Sequence, residues 1–349
     1  MTHSVDPTVP AQGNERRGAA QLSRRKFLYL VAGAAATAPH FSWAQGAPSS
    51  RSVRAATGLL ATWQSTAWLG AASGIFNKYG VDMSLPAIAV GGPEAAAGLI
   101  RGDWEFAHTG VVPVAEEVLK GQGVVILATP TEAFPNSFVM TRKEITELAQ
   151  LAGRKVGVLT ETGQTSVAAR LTIEKAGATA IYLPLGKFDR IYAALAAGEV
   201  DAGALPIDLH FSGQVRYGWN AFPLDEFGTP SIFATTRRLV ASDRELVMNV
   251  MRGFVAAIHL FKTRPDIVVP LLQRYLNIED RKAAENLHAF HVPVFRKAPT
   301  PFFPGMQKLR AFLAQKYPAA VSLKESDIAD SSFVDELEQS GFIDRLYAA

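Results

Sequence analysis

Apolar stretches of strand length alternate with longer helical ones twice along the chain. Residues 53–113 and 154–206, laid over each other, both read strand, polar loop, helix, strand, helix, short strand. Such alternation predicts βαβ units around a mainly parallel sheet. In the first copy Leu60-Ala61-Thr62-Trp63-Gln64-Ser65-Thr66 leads into an apolar helix ending at Tyr79-Gly80. In the second, Leu159-Thr160-Glu161-Thr162-Gly163-Gln164-Thr165-Ser166 leads into a helix ending near Ala176-Gly177. Further on, Leu99-Ile100-Arg101-Gly102-Asp103 corresponds to Leu195-Ala196-Ala197-Gly198-Glu199. Each is a helix closed by glycine, for which a left-handed residue costs least, followed at once by a short strand. The pattern predicts two similar α/β lobes.

Asn136-Ser137-Phe138-Val139-Met140 reads as a strand crossing from the first lobe to the second, and Ser231–Thr236 as a strand crossing back. The hinges are expected from residue 135 or 136 to about Thr141 and from Thr235 to about Leu239. After the return, Ser242-x-x-Glu245 has the form of a capping box. Leu246, Val250, Phe254, Ala257, Ile258 and Phe261 then recur at helical spacing toward Pro265. The expected division is a leader over 1–44, a discontinuous first lobe over 45–140 and 238–349 closed by a mainly helical segment, and a second lobe over 141–237.

The leader carries its own signal. Ser23-Arg24-Arg25-Lys26-Phe27-Leu28, an apolar run to Ala38, and Phe41-Ser42-Trp43-Ala44 follow the layout of a twin-arginine export signal with a small-x-small cleavage site. A run of about 12 residues falls short of the roughly 20 that a spanning helix needs. The expected product is exported by the twin-arginine machinery and free in the periplasm. The formal charge of +3 shrinks accordingly, because removing five basic and two acidic leader residues leaves 30 of each. That balance removes support for a nucleic-acid partner. The chain has no cysteine, so disulfides, thiolate metal sites, a cysteine nucleophile and a lipidated cysteine are excluded.

Several motifs together carry a family resemblance: Gly74-Ile75-Phe76-Asn77-Lys78-Tyr79-Gly80-Val81-Asp82, the Gly91-Gly92 loop, and Leu99-x-x-Gly102-Asp103. Leu148-x-x-Leu151-Ala152-Gly153-Arg154-Lys155-Val156-Gly157-Val158 and Ala194-Leu195-x-x-Gly198-Glu199-Val200-Asp201-Ala202 complete the order. Over residues 53–265 the chain resembles the periplasmic solute-binding proteins of nitrate, sulfonate, taurine and thiamine-precursor uptake systems. The resemblance implies a type II periplasmic binding protein with two α/β lobes joined by two crossing strands. It further implies hinge closure on one small solute and delivery, as a monomer, to the permease of an ABC transporter. No cofactor is implied.

Ligands in open α/β sheets sit beyond the carboxyl ends of strands, where helix N-termini offer free N–H groups and partial positive charge. The candidate ligand-binding residues follow from that place. Thr62, Trp63, Gln64 and Ser65 open the first-lobe helix, with Trp63 able to stack on a planar solute or simply to fill core. Thr162, Gly163, Gln164, Thr165 and Ser166 open the matching helix, as a polar head-group site or as an ordinary cap. Gly91 and Gly92 let backbone approach a ligand or make a plain turn. His108 and Thr109 follow a short strand, His108 as an anion donor, a pH-sensitive contact or a structural histidine. Phe134 and Asp208 end later strands, and Asp208 suits either an amino group or the capping of the next helix. These loops fit a small organic anion, such as a sulfonate, a taurine-like zwitterion or an aromatic carboxylate, or a heterocycle. An enzyme on the same scaffold, decarboxylating or pyrimidine-forming, and a solute-sensing receptor domain are the alternatives. No Gly-x-Ser-x-Gly, His-Glu-x-x-His, Walker or complete Gly-x-Gly-x-x-Gly motif occurs. His288-x-x-His291 has no ligands to complete a metal site and reads as structural.

Overall fold

A computed structural model describes residues 50–84, 86–89, 91–132, 136–159, 164–224 and 231–348. The leader expected over 1–44 lies outside them. The chain enters through β1 (Arg51–Val53) and β2 (Ala55–Thr57), and then α1 (Ser65–Ala72). β3 (Val81–Met83), β4 (Ala87–Ile88), α2 (Gly91–Arg101), β5 (Phe106–Gly110), α3 (Val111–Leu119) and β6 (Val124–Ala128) follow. The middle of the chain forms β7 (Ser137–Thr141), β8 (Lys155–Val158), α4 (Gln164–Lys175), β9 (Ile181–Pro184) and α5 (Phe188–Ala196). It continues through β10 (Ala202–Pro206), α6 (Ile207–Tyr217) and β11 (Asn220–Pro223). The return is β12 (Ser231–Thr236), after which α7 (Arg237–Ser242), α8 (Arg244–Thr263), α9 (Pro265–Leu276) and α10 (Arg281–His291) lead into further short helices.

Two five-stranded sheets result, in the orders β4-β2-β5-β12-β6 and β11-β7-β10-β8-β9. Reversing the second order makes the two equivalent. In each sheet three parallel strands adjoin one antiparallel strand, β12 or β7, which holds the fifth. The two-lobed α/β architecture expected from the repeat is therefore present strand by strand, and Gly102 (φ 80°) and Gly198 (φ 75°) close equivalent helices. The first sheet is covered on both faces, which explains its continuous apolar strands. In β6, Val125 and Leu127 face the core shared with α1 and α8, while Val124 and Ile126 face α2 and α3.

Three expectations are revised. The helix expected to run on to Tyr79 stops at Ala72, and a separate 3₁₀ turn covers Ile75–Tyr79. The cap of α8 is Asp243, whose carboxylate accepts from Leu246 N–H at 3.1 Å, and not Ser242. The expected hinge segments belong to regular elements: the first is β7, which pairs with β10 and β11, and the second is the end of β12, which pairs with β5 and β6, and the start of α7. β7 lies wholly in the second sheet and β12 wholly in the first, so neither strand is itself a crossing. The C-terminal helices also reach both sheets, because α8 packs under the first while Phe290 on α10 meets Phe211 on α6 at 5.8 Å between ring centroids.

Candidate functional site

The loop after β2 is shaped by its own polar atoms. Gln64 Oε1 accepts from Leu59 N–H at 3.0 Å, and the Thr57 hydroxyl donates to Leu59 O at 2.8 Å. Gln64 therefore straps the turn that delivers Thr62 and Trp63. On the neighbouring strand β5, successive side chains point to opposite faces. Thr109 turns toward α2, where a Cβ placed on Gly58 or Gly92 would come within 2.8 or 2.9 Å of its Oγ1. That hydroxyl is fully buried and has no hydrogen-bond partner among the described residues, and the same holds for those of Ser65 and Thr66 at the start of α1. Gly91 sits at positive φ at the start of α2 and is exposed. Bare backbone at Gly58 and Gly92 and an unspent hydroxyl form a small polar cradle at the carboxyl edge of the first sheet.

His108 turns the other way, into the core. Its ring lies edge-on to Phe233 and Phe254, with Nε2 3.4 Å from Ser231 Oγ. Burial pushes its pKa down to about 3, so the ring is neutral at physiological pH and is no cationic contact. The expected pH-sensitive role does not suit this position. Ser231 Oγ donates to Trp63 O at 2.9 Å and links β12 to the same turn.

Trp63 crosses between the lobes. It is 6% exposed and packs in one apolar cluster with Phe138, Met140, Leu205, Ile207 and Trp219 of the second lobe. One residue earlier, Thr62 meets Asp208 of α6: the Thr62 N–H donates to Asp208 Oδ1 at 3.2 Å, and the Thr62 hydroxyl donates to the same oxygen. Asp208 thus caps nothing in its own helix and instead joins the two sheets. It is buried, and desolvation raises its carboxyl from the usual 3.8 to about 6 against the opposing effect of the two Thr62 donors.

Beside this pair lies a groove of about 570 Å³. Leu59, Leu60 and Ala61 after β2 form one wall; Phe188, Tyr192, Pro206, Asp208 and Arg216 from the second lobe form another. The α9–α10 junction, from Tyr275 to Asp280, closes the third side. The groove sits where strand ends from both sheets converge, the place at which α/β sheets take ligands.

Among the described site candidates, the structure brings Thr62, Trp63 and Asp208 together at the groove, and Gly92 and Thr109 together in the cradle. Thr165 is partly buried and Ser166 buried at the start of α4, whose first residue is Gln164. Phe134, Thr162 and Gly163 lie outside the described residues. Sequence reasoning missed Gly58, Ser231, Tyr192 and the α9–α10 junction. Only Gly58 left a trace, as a glycine directly after a strand. His288 and His291 donate to Phe261 O at 2.7 Å and Leu287 O at 2.9 Å, which makes both structural. Among the described residues no helix is long and apolar enough to cross a membrane, and no group of three metal-ligating side chains occurs.

Solved structures share this architecture. The periplasmic aliphatic sulphonate-binding protein SsuA from Escherichia coli aligns with a TM-score of 0.60 at 16% identity, covering 79% of this chain and 95% of its own. The alkanesulfonate-binding protein SsuA from Xanthomonas axonopodis, bound to MOPS, gives 0.58 at 15% identity, with 78% and 95% covered. The desulfurization enzyme DSZB gives 0.58 at 16%, with 83% and 99% covered. At these identities the likeness establishes the periplasmic-binding-protein fold. No curated protein matches the chain in sequence. A family model described as NMT1/THI5 like matches residues 66–267, more than half of the sequence, and the chain belongs to that family.

Proposed function

We propose that the chain is the periplasmic substrate-binding component of an ABC uptake transporter, and that it closes its two lobes around one small organic solute. The observation that carries this reading is the groove between two equivalent sheets, bridged by the buried polar contact of Thr62 with Asp208. Hinge closure around a ligand is a known motion for such paired lobes. Sulfonate-binding proteins on the same fold support transport and an organic solute, here a small organic anion, a zwitterion or a heterocycle. The twin-arginine leader supplies the route to the periplasm and the permease the destination. DSZB shows that the fold also serves catalysis. Here His108 is enclosed between phenylalanine rings and held neutral, a poor place from which to move a solute's proton. The chain has no cysteine to act as a nucleophile.

A thermal-shift panel of alkanesulfonates, taurine, nitrate, aromatic carboxylates, the thiamine pyrimidine and riboflavin tests the reading. A ligand at 100 times its Kd adds about 2.7 kcal/mol of stability. Stabilisation by one class, with the compound recovered unchanged, is the expected result. Turnover of the compound, or no shift across the whole panel, overturns it.

A further inference from the structure

The charges around the groove are lopsided. Asp189, Asp208, Glu279 and Asp280 line it against one cation, Arg216, and that guanidinium is held by Glu279 at 2.6 Å. Asp280 is occupied as the cap of α10, accepting from Ala283 N–H at 3.0 Å. Asp189 and Asp208 have no ion pair among the described residues. They differ in what surrounds them: Asp189 is exposed at the first turn of α5, whereas Asp208 is nine-tenths buried at the seam. Among the described residues the donors on Asp208 are the amide and hydroxyl of Thr62, both neutral. A buried carboxylate without a counter-charge is costly, and the cost is relieved when a cation is brought to it. A sulfonate or carboxylate seated in the same place would meet two carboxylates and no free cation. The walls add Phe188, Tyr192 and Tyr275, whose ring faces attract positive charge.

We propose that Asp208 is the charge-selecting residue of the groove, and that the solute presents to it an ammonium or protonated amidine group, alone or as the positive end of a zwitterion. The proposal rests on the reading of the groove as the solute site and narrows it to amine-bearing compounds. Contact with Asp208 also places the cation beside Thr62, so the same ion would touch both lobes.

The test uses matched pairs that differ in the charged group: taurine against ethanesulfonate, and benzamidine against benzoate. Each is titrated calorimetrically into the purified protein and into its Asp208→Asn and Asp189→Asn variants, with circular dichroism melts to verify folding. The expected result is binding of taurine or benzamidine at least tenfold tighter than its partner. Asp208→Asn should weaken it roughly 10- to 150-fold, the loss of one hydrogen bond to a charged group. Asp189→Asn, exposed and able to fold whatever its role, should weaken it less. Equal or tighter binding of ethanesulfonate or benzoate, or full affinity in Asp208→Asn, overturns charge selection and leaves the receptor reading standing. Binding of none of the four overturns charge selection; only failure of the wider panel as well overturns the receptor reading.

Discussion

Two buried titratable residues pull stability in opposite directions with pH. Asp208 has its carboxyl raised from 3.8 to about 6, mainly by desolvation. The folded state therefore favours the protonated acid, a contribution fully present below pH 3.8 and lost as pH rises through about 6. Near two pKa units, that contribution is at most about 3 kcal/mol. Asp208→Asn keeps an acceptor for Thr62 without the charge. It should raise the melting temperature by a few degrees at pH 7.5 and leave it unchanged at pH 3.5; a fall at pH 7.5 would show that the ionised form stabilises the fold. His108 is the reverse case, because burial lowers it from 6.5 to about 3. Its contribution is complete above pH 6.5 and lost as pH falls toward 3, amounting to about 5 kcal/mol at most. A His108→Leu variant should lose less stability than the parent between pH 7 and pH 4 in melts recorded across that range. Asp208 was legible as a polar residue at a strand end, but not as a bridge. Its partner stands 146 positions away, and nothing in local pattern says what a cleft places opposite a side chain.

At the scale of elements, the doubled strand and helix order was readable because apolar periodicity and closing glycines repeat with little local ambiguity. The crossings were not. A strand that leaves a lobe and a strand buried within a sheet have the same apolar run, and only pairing distinguishes them, as β7 and β12 show. The cradle between β2, α2 and β5 was half legible, since Gly92 and Thr109 stood out while Gly58 did not. Its geometry predicts coupling. Gly58→Ala and Gly92→Ala each drive a methyl against Thr109 Oγ1 at under 3.0 Å, and Gly92→Ala also meets Pro113 Cγ at 3.0 Å. Each should destabilise by about 1–3 kcal/mol through overpacking. In a Thr109→Ala background the hydroxyl is gone, so the Gly58→Ala cost should shrink by at least 0.5 kcal/mol, the low end for contacting residues. Denaturant melts of the four proteins in that cycle measure the difference; additive costs would place the strain elsewhere.

Across the whole molecule, contacts of very different kinds hold the lobes against each other. Trp63 enters the apolar cluster of the second lobe, Thr62 bonds Asp208, and α10 reaches α6 through Phe290 and Phe211, with the Arg216–Glu279 ion pair at its start. Their strengths differ greatly. The ion pair is exposed on both sides and is worth less than about 1 kcal/mol. Truncating a buried tryptophan typically costs about 3–5 kcal/mol. On the proposed closure, opening the lobes would mean chiefly withdrawing Trp63 from the cluster it shares with Phe138, Leu205 and Ile207, which makes that side chain the largest single contribution to the closed form. Each lobe keeps its own core without it, since the clusters around Phe254 in one and Val156 in the other do not include Trp63. Trp63→Ala should consequently shift the unliganded protein toward the open form, seen as a larger radius of gyration by small-angle scattering, while far-ultraviolet circular dichroism stays native. Glu279→Ala should leave the scattering curve unchanged. A solute must then supply closing energy that Trp63 no longer provides, so affinity should fall by the population of the closed form lost, as expected when binding competence is only fractionally populated. An unchanged radius of gyration in Trp63→Ala would move the weight of closure to the α10 brace, and Phe290→Ala would become the variant that opens the molecule.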